Sequence, residues 1–392
     1  MTQNAPIQQP SPISGSPMSQ ACGLYGFAGI PDASDAAIPI PDSDVRTLAD
    51  GSLASGPLAA IARQSYRKFT SLTLANRSIL VTGGAGFIGS HLVDRLISED
   101  PAKLVVVDNF FLGNEGNLAP ALARRDDLEI IRLDASDLAA MQDVVTTHGI
   151  DTVFDLAVVP LPTSLTFPHW TMQTNIGITT TFCEITRRGL VERYVHFSSS
   201  EAYGSGRYVP MDEEHPHDAL TPYAASKSAE DHIIRSYVST FGIDATIIRP
   251  FNNYGPRQNP GSYAGIIPII VRCVRTGQPI TIFGDGEQTR DFTFVRDTAE
   301  LTIDIFNNPE CRGLELNVAT GVGTSINDLV AQILTIMGRP DHPVVHVEER
   351  PGDVRRHLAD VSRLVSYVGH HPPVLSDEAL RETVEWYEEI LA

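Results

Sequence analysis

Positive charge is scarce in this sequence. Among 392 residues, 29 lysines and arginines stand against 48 aspartates and glutamates, a formal net charge of −19. So acidic a chain repels phosphate backbones and anionic headgroups, which excludes non-specific nucleic-acid binding and docking on an anionic membrane. An anionic small molecule would have to be held by local arginines against the overall field. Cysteine is sparse too. Cys22, Cys183, Cys273 and Cys311 are scattered, without metal or redox spacing, and the last three read as buried small side chains in a reducing setting. No apolar run approaches the ~20 residues that span a bilayer. The first residues show neither the basic start nor the apolar core of a secretory signal. The expectation is therefore a cytoplasmic protein with no membrane partner. Of the twelve histidines, only His215/His217 and His370-His371 cluster, and neither cluster has a zinc-type partner set. They read as surface residues, with no metal expected.

What is present is a long α/β pattern behind an unusual leader. Residues 1–60 hold eight of the 27 prolines and eight serines with few aromatics, a composition that buries little surface. Residues 1–76 are therefore expected to be a disordered or loosely attached extension. A short helix within 57–76 is suggested by Leu58, Ile61, Ala62 and Tyr66 on one face. From 77 onward short apolar runs alternate with helical stretches, as in 153–157, 194–198 and 245–249, which implies βαβ units and a parallel sheet. After 250 the elements shorten between Gly/Pro-rich loops. The expected organisation is a nucleotide-binding sheet domain over 77–250 and 291–312, with a substrate lobe over 251–290 and 313–392.

The most specific local motif is Ile79-Leu80-Val81-Thr82-Gly83-Gly84-Ala85-Gly86-Phe87-Ile88-Gly89. An apolar strand runs into glycines 83, 86 and 89, and a helix follows. That spacing permits a tight turn, close approach of backbone to phosphate, and close helix–strand packing, with a dinucleotide pyrophosphate on the helix N-terminus. A second strand, Leu104-Val105-Val106-Val107-Asp108, ends in an acid 19 residues after Gly89. An acid there accepts from ribose hydroxyls and repels a 2′-phosphate, so the expected cofactor is NAD rather than NADP.

A second constellation is Thr221-Pro222-Tyr223-Ala224-Ala225-Ser226-Lys227. Thr221 suits an N-cap and Pro222 the first helical position, which places Tyr223 and Lys227 on one helix face at i and i+4. An ammonium beside a phenol is expected to lower the tyrosine pKa from ~10, making Tyr223 a general base for a sugar hydroxyl. Ser198-Ser199-Ser200-Glu201 follows the strand ending at 197, where a parallel sheet presents ligands.

Together these motifs resemble the extended short-chain dehydrogenase/reductase family, and within it the NAD-dependent nucleotide-sugar epimerases and dehydratases, over about 77–392. The resemblance implies a Rossmann-type doubly wound parallel sheet with a smaller mixed α/β substrate-binding lobe. It implies a nucleotide-diphosphate sugar as substrate, and a homodimer formed through a helix bundle. By the same resemblance Ser199, Tyr223 and Lys227 are catalytic, with Glu201 beside them. Gly83, Gly86, Phe87, Ile88, Gly89, Asp108, Asn109, Asp134, Ala135, Ala157, Asn175, Tyr223 and Lys227 face the cofactor. Val158-Val159 replace the family's usual small pair, and Ile178-Thr179 its Gly-Thr. Ser200, Asn252, Arg290, Arg350 and Asp353 are implied for the substrate, with the two arginines matching diphosphate oxygens as guanidinium forks.

The motif Arg350-Pro351-Gly352-Asp353-Val354-Arg355 looks like the epimerase branch, so the expected reaction is 4-epimerisation through a 4-keto sugar. Ser200-Glu201 resembles instead the pair in UDP-glucuronate decarboxylases and in some 4,6-dehydratases, which share the C4 oxidation. A catalytically silent NAD-binding scaffold is the remaining alternative.

Overall fold

The computed structural model describes residues 73–261, 265–349 and 354–391. The expected short helix within 57–76 lies almost wholly outside the described residues, as do Arg350 and Asp353.

The first half alternates strictly: β1 (Ser78–Thr82), α1 (Phe87–Ile97), β2 (Lys103–Asp108), α2 (Ala119–Arg124), β3 (Glu129–Arg132), α3 (Leu138–His148) and β4 (Thr152–Asp155). Then come α4 (Leu161–Thr166), α5 (Pro168–Arg187), β5 (Arg193–Phe197), α6 (Pro222–Phe241) and β6 (Ala245–Pro250). The second half carries β7 (Asn252–Tyr254), α7 (Ile266–Thr276), β8 (Ile280–Phe283), β9 (Thr289–Arg290), β10 (Phe292–Phe294) and α8 (Val295–Asn307). It continues through β11 (Glu315–Val318), β12 (Thr324–Ser325), α9 (Ile326–Ile336), β13 (Val344–Val347), β14 (Arg356–His357), α10 (Ser362–Val368) and α11 (Asp377–Ile390).

Seven strands form one parallel sheet in the order β11-β6-β5-β4-β1-β2-β3. The central strands are largely apolar because both faces are covered, while β4, β5 and β6 also carry the buried polar residues Asp155, His196 and Arg249. Ile79 and Val81 point into one core with Leu92 and Leu96 of α1 and Ile303 and Phe306 of α8. Leu80, Val105 and Val153 point into the other, against Met141 of α3, Phe182 of α5 and Ile234 of α6. Each such side chain contributes about 1.5–3 kcal/mol of burial. The strand order reverses between β1 and β4, and a doubly wound sheet opens its ligand crevice at that switch.

The boundary drawn from the sequence is corrected at two places: β10 (Phe292–Phe294), expected in the sheet domain, pairs with β7 and joins the lobe core, and β11 goes the other way. Residues 313–318 were expected in the substrate lobe, but β11 pairs with β6, Glu315 to Ile247 through Val318 to Pro250, and completes the main sheet. The lobe keeps three small sheets, β7/β10, β12/β9/β14 and β8/β13, around a core built from α7, α9 and α11. A buried arginine sits behind the main sheet: Arg249 donates to Asp231 at 2.5 Å, to Glu315 at 3.0 Å and to the Tyr203 hydroxyl at 2.7 Å. His215 is buried rather than on the surface, its Nε2 facing the Arg207 backbone N–H at 2.9 Å. Cys183 and Cys311 are free and buried. Cys273 is equally buried.

Candidate active site

One cleft of about 1890 Å³ runs from the carboxyl ends of β1 and β2 to the substrate lobe. A single small-molecule site is usually 300–1,000 Å³, so this volume suits two large ligands end to end.

At one end the glycine turn is built for backbone contact. Gly83 takes φ +64°, and a Cβ there would stand 2.7 Å from the Leu156 carbonyl carbon. A Cβ on Gly89 would run into the Gly83 carbonyl oxygen. Helix α1 starts at Phe87 behind Gly86, with no side-chain cap and no acid in its first turn. Its N-terminus therefore presents uncapped N–H groups at Phe87 and Ile88, the usual cradle for a diphosphate. Asp108 closes this end from β2. Its carboxylate accepts from Ala85 N at 3.0 Å and Phe110 N at 2.8 Å. Burial pushes its pKa up, while those N–H groups and Arg132 pull it down. Each oxygen keeps a further acceptor position for ribose hydroxyls. Asn109, Asp134, Ala135 and Ala157 also line the cleft. Asp134 turns one oxygen to Ser136 N and Oγ, at 2.9 and 2.8 Å.

Asn175 is placed differently from the sequence reading. Its amide bonds both Val159 N (2.8 Å) and Val159 O (3.1 Å) and reaches Ser226 Oγ at 2.9 Å. It pins the loop after β4 to α6 and is absent from the cleft wall.

In the middle, Ser199, Ser200, Glu201, Tyr223 and Lys227 converge. Thr221 Oγ1 caps α6 by accepting from Ala224 N at 3.1 Å, and Pro222 opens the helix. Tyr223 and Lys227 are thereby one turn apart on the cleft side. Ser199 caps the short turn Ser200–Tyr203, its Oγ accepting from Glu201 N at 3.2 Å, and its hydroxyl favours ionisation of the Tyr223 phenol.

The expected lowering of the tyrosine pKa is overturned. Burial raises it, and Glu230 and Glu201 add to that, outweighing Lys227 and Ser199. Lys227 itself is buried, its ammonium donating to Phe197 O at 2.9 Å and Glu230 at 2.8 Å. Burial works against its charge, but the carboxylate of Glu230 prevails and its pKa is raised. Glu201 has a raised pKa from burial, partly offset by Arg290.

At the far end stand Asn252 and Arg290. Arg290 Nη1 donates to Thr289 O at 3.0 Å and Val354 O at 2.6 Å. Two further cleft residues escaped the sequence reading. His357 lies 3.4 Å from Asn252 Nδ2. Burial, with Arg290 beside it, holds its pKa down at about 4. Arg257 sits at φ +68° and pairs with Asp94 at 2.7 Å. Both lie within segments that resemble the family, Arg257 at the end of 249–257 and His357 within 350–360, but nothing in those spacings gave either residue a role. Among the described residues no group of three or more His, Cys, Asp or Glu is arranged to hold a metal, and no helix is long and apolar enough to cross a membrane.

Comparison with known proteins follows from this geometry. Residues 79–319 match the NAD dependent epimerase/dehydratase family. The chain is 35% identical over 310 residues to the UDP-glucose 4-epimerase of Mycolicibacterium smegmatis, covering 79% of this chain and 97% of that one. The fold is similar to the UDP-N-acetylglucosamine 4-epimerase of Methanobrevibacter ruminantium, with TM-score 0.74, 33% identity, and coverage of 81% of this chain and 99% of that one. It is also similar to a dTDP-glucose 4,6-dehydratase of Streptomyces venezuelae solved with NAD bound, with TM-score 0.72, 30% identity, and coverage of 80% and 97%.

Proposed function

This chain belongs to the NAD-dependent epimerase/dehydratase family, and on that premise we propose that it is a nucleotide-sugar 4-epimerase acting by reversible oxidation at sugar C4. The observation that carries the reading is the convergence of Ser199, Tyr223 and Lys227 between the glycine cradle and the Asn252/Arg290 end of one cleft. When bound, NAD supplies the acceptor and then the donor of the C4 hydride. Tyr223 takes the O4 proton as the carbonyl forms and returns it as the carbonyl is reduced, with the Ser199 hydroxyl sharing that hydrogen bond. Asn252 and Arg290 hold the nucleotide diphosphate, with Ser200 beside the sugar; the substrate roles that the resemblance implies for Arg350 and Asp353 belong to the same reading and fall outside the described residues. A cytoplasmic homodimer belongs to the same reading.

Two features favour epimerisation over elimination. The wall formed by Val158, Val159, Pro160, Leu161 and Pro162 offers apolar side chains, on which a 4-keto sugar can turn over without breaking side-chain hydrogen bonds. Dehydration also needs a base for the C5 proton and an acid for the departing hydroxyl. Among the described residues near Tyr223, Glu201 is the one additional carboxyl in the cleft, and His357 is held neutral. Glu201 still supports the dehydratase reading, because its raised pKa suits a proton carrier.

Incubation with a panel of nucleotide sugars, read by product mass, separates the outcomes. Unchanged mass with altered retention is epimerisation, loss of water is dehydration, and loss of carbon dioxide is decarboxylation. Glu201→Gln is expected to reduce an epimerase's turnover less than tenfold. A fall of 10² or more, the usual worth of a positioned acid or base, would move the assignment to the dehydratase.

Cofactor choice is a separate test. Asp108 would face a 2′-phosphate across a partly buried site, where like charges disfavour one another. NAD is expected to bind at least tenfold more tightly than NADP by calorimetry, and equal dissociation constants would remove Asp108 from the ribose.

A further inference from the structure

Behind Lys227 lies a buried row of ionisable groups that the reaction above does not use. Glu230, one turn further along α6, is 1% exposed and takes the Lys227 ammonium at 2.8 Å. His196, from β5, places Nε2 3.2 Å from the same carboxylate oxygen. Its Nδ1 lies 3.3 Å from Asp155 Oδ2 and 3.1 Å from the Tyr194 hydroxyl. Asp155 ends β4, accepts from Tyr194 at 2.8 Å and, at its other oxygen, from Thr82 Oγ1 at 2.6 Å. His196 and Asp155 are each 1% exposed. Three elements thus deliver Lys227, Glu230, His196 and Asp155 in a line from the cleft into the sheet.

Charge balance explains how four such groups stay buried. An isolated buried charge costs several kcal/mol, so a stable row must alternate in sign. With His196 protonated between its two carboxylates, the row reads plus, minus, plus, minus and is neutral. The shifts agree in direction: burial opposes protonation of His196, but Asp155 and Glu230 raise its pKa, and Asp155 is lowered against its own burial by His196 and Thr82. The neighbours do not upset the balance. Cys183 of α5 is a thiol whose pKa is pushed up. Asp231, which also feels the His196 charge, is paired with Arg249 at 2.5 Å, with His217 at 3.9 Å, so that its charge is already balanced. On the cleft side Tyr223 faces Ser199, Glu201 and, beyond it, Arg290.

We propose that Glu230, backed by His196 and Asp155, grips the Lys227 ammonium from behind and sets how much of its charge Tyr223 feels, which makes Glu230 a positioning residue for the reaction. It rests on the role of Tyr223 as the base. A lysine alone would draw the phenol strongly toward the phenolate. With the Glu230 carboxylate 2.8 Å from the ammonium, much of that pull is cancelled, and the phenol stays protonated until substrate and cofactor are in place.

The test is the ionisation of Tyr223 in the NAD-bound full chain, read as phenolate absorbance against Tyr223→Phe, alongside the acid limb of kcat/KM. Glu230→Gln removes the cancelling charge and is expected to lower the pH of both readings by on the order of one unit. Glu230→Asp is expected to restore them toward the parent. His196→Asn leaves its carboxylates uncompensated and is expected to move both readings upward. An unmoved ionisation in folded Glu230→Gln overturns the proposal. If that variant does not fold, His196→Asn decides, an upward shift supporting the idea and an unmoved one ending it. The absorbance reading needs no turnover, so it separates failure of this inference from failure of the epimerase assignment, which Tyr223→Phe turnover tests alone.

Discussion

Replacing Tyr223 by Phe is expected to lower turnover by roughly 10²–10⁴, the usual contribution of a positioned proton-transfer group. The phenyl ring keeps the packing of α6 and loses one hydroxyl. NAD affinity is expected to persist, because the glycine cradle is untouched and Lys227 remains anchored to Phe197 O and Glu230. Stopped-flow turnover on the preferred nucleotide sugar, with calorimetric NAD binding on the same sample, checks both halves. Near-normal turnover would remove Tyr223 from the chemistry whatever the fold.

Lys227→Met is expected to do more damage, and of two kinds. The buried ammonium balances Glu230, and deleting one partner of a buried pair strands the other, at a cost of about 3–5 kcal/mol. The melting temperature should fall accordingly. Turnover should be lost and NAD binding weakened, since Lys227 lines the cleft beside Tyr223. The double variant Lys227→Met/Glu230→Gln separates the two effects. Removing the stranded carboxylate should recover much of the melting temperature and none of the turnover. Recovery of both would mean that Lys227 is a structural residue alone, and a melting temperature unchanged by Lys227→Met would contradict the buried pairing.

The pH dependence of the pairing has a defined sign. Lys227 has a folded pKa above its ordinary value, so its contribution is complete at neutral pH and is lost only as pH rises through that raised value. Asp155 has a lowered folded pKa, so its contribution holds above the ordinary carboxylate range and is lost as pH falls through the lowered value. Both groups therefore support the fold across the neutral range, where the activity tests are made.

What the sequence by itself determined was whatever depends on short spacing. The Gly83–Gly89 turn, the apolar strands into Thr82 and Asp108, and the cap-and-proline start of α6 follow from dihedral preferences and from periods of two and 3.6 residues. Those rules act within a few residues, and Tyr223 and Lys227 therefore fell on one face without reference to the rest of the chain. Only the tertiary structure decided what depends on neighbours distant in sequence. Strand β11 joined the main sheet because β6 offered it an edge, which no composition change at 312 signals. Asn175 became a brace between Val159 and Ser226. His357 entered the cleft only when β14 paired with β9. The Lys227–Glu230 pair was visible as a three-residue spacing, but His196 and Asp155 complete the row from strands that the sequence separates by dozens of residues. The proton affinity of Tyr223 went opposite to the local expectation for the same reason: burial and charge act through space, and their sum is known only when all the surrounding groups have been placed.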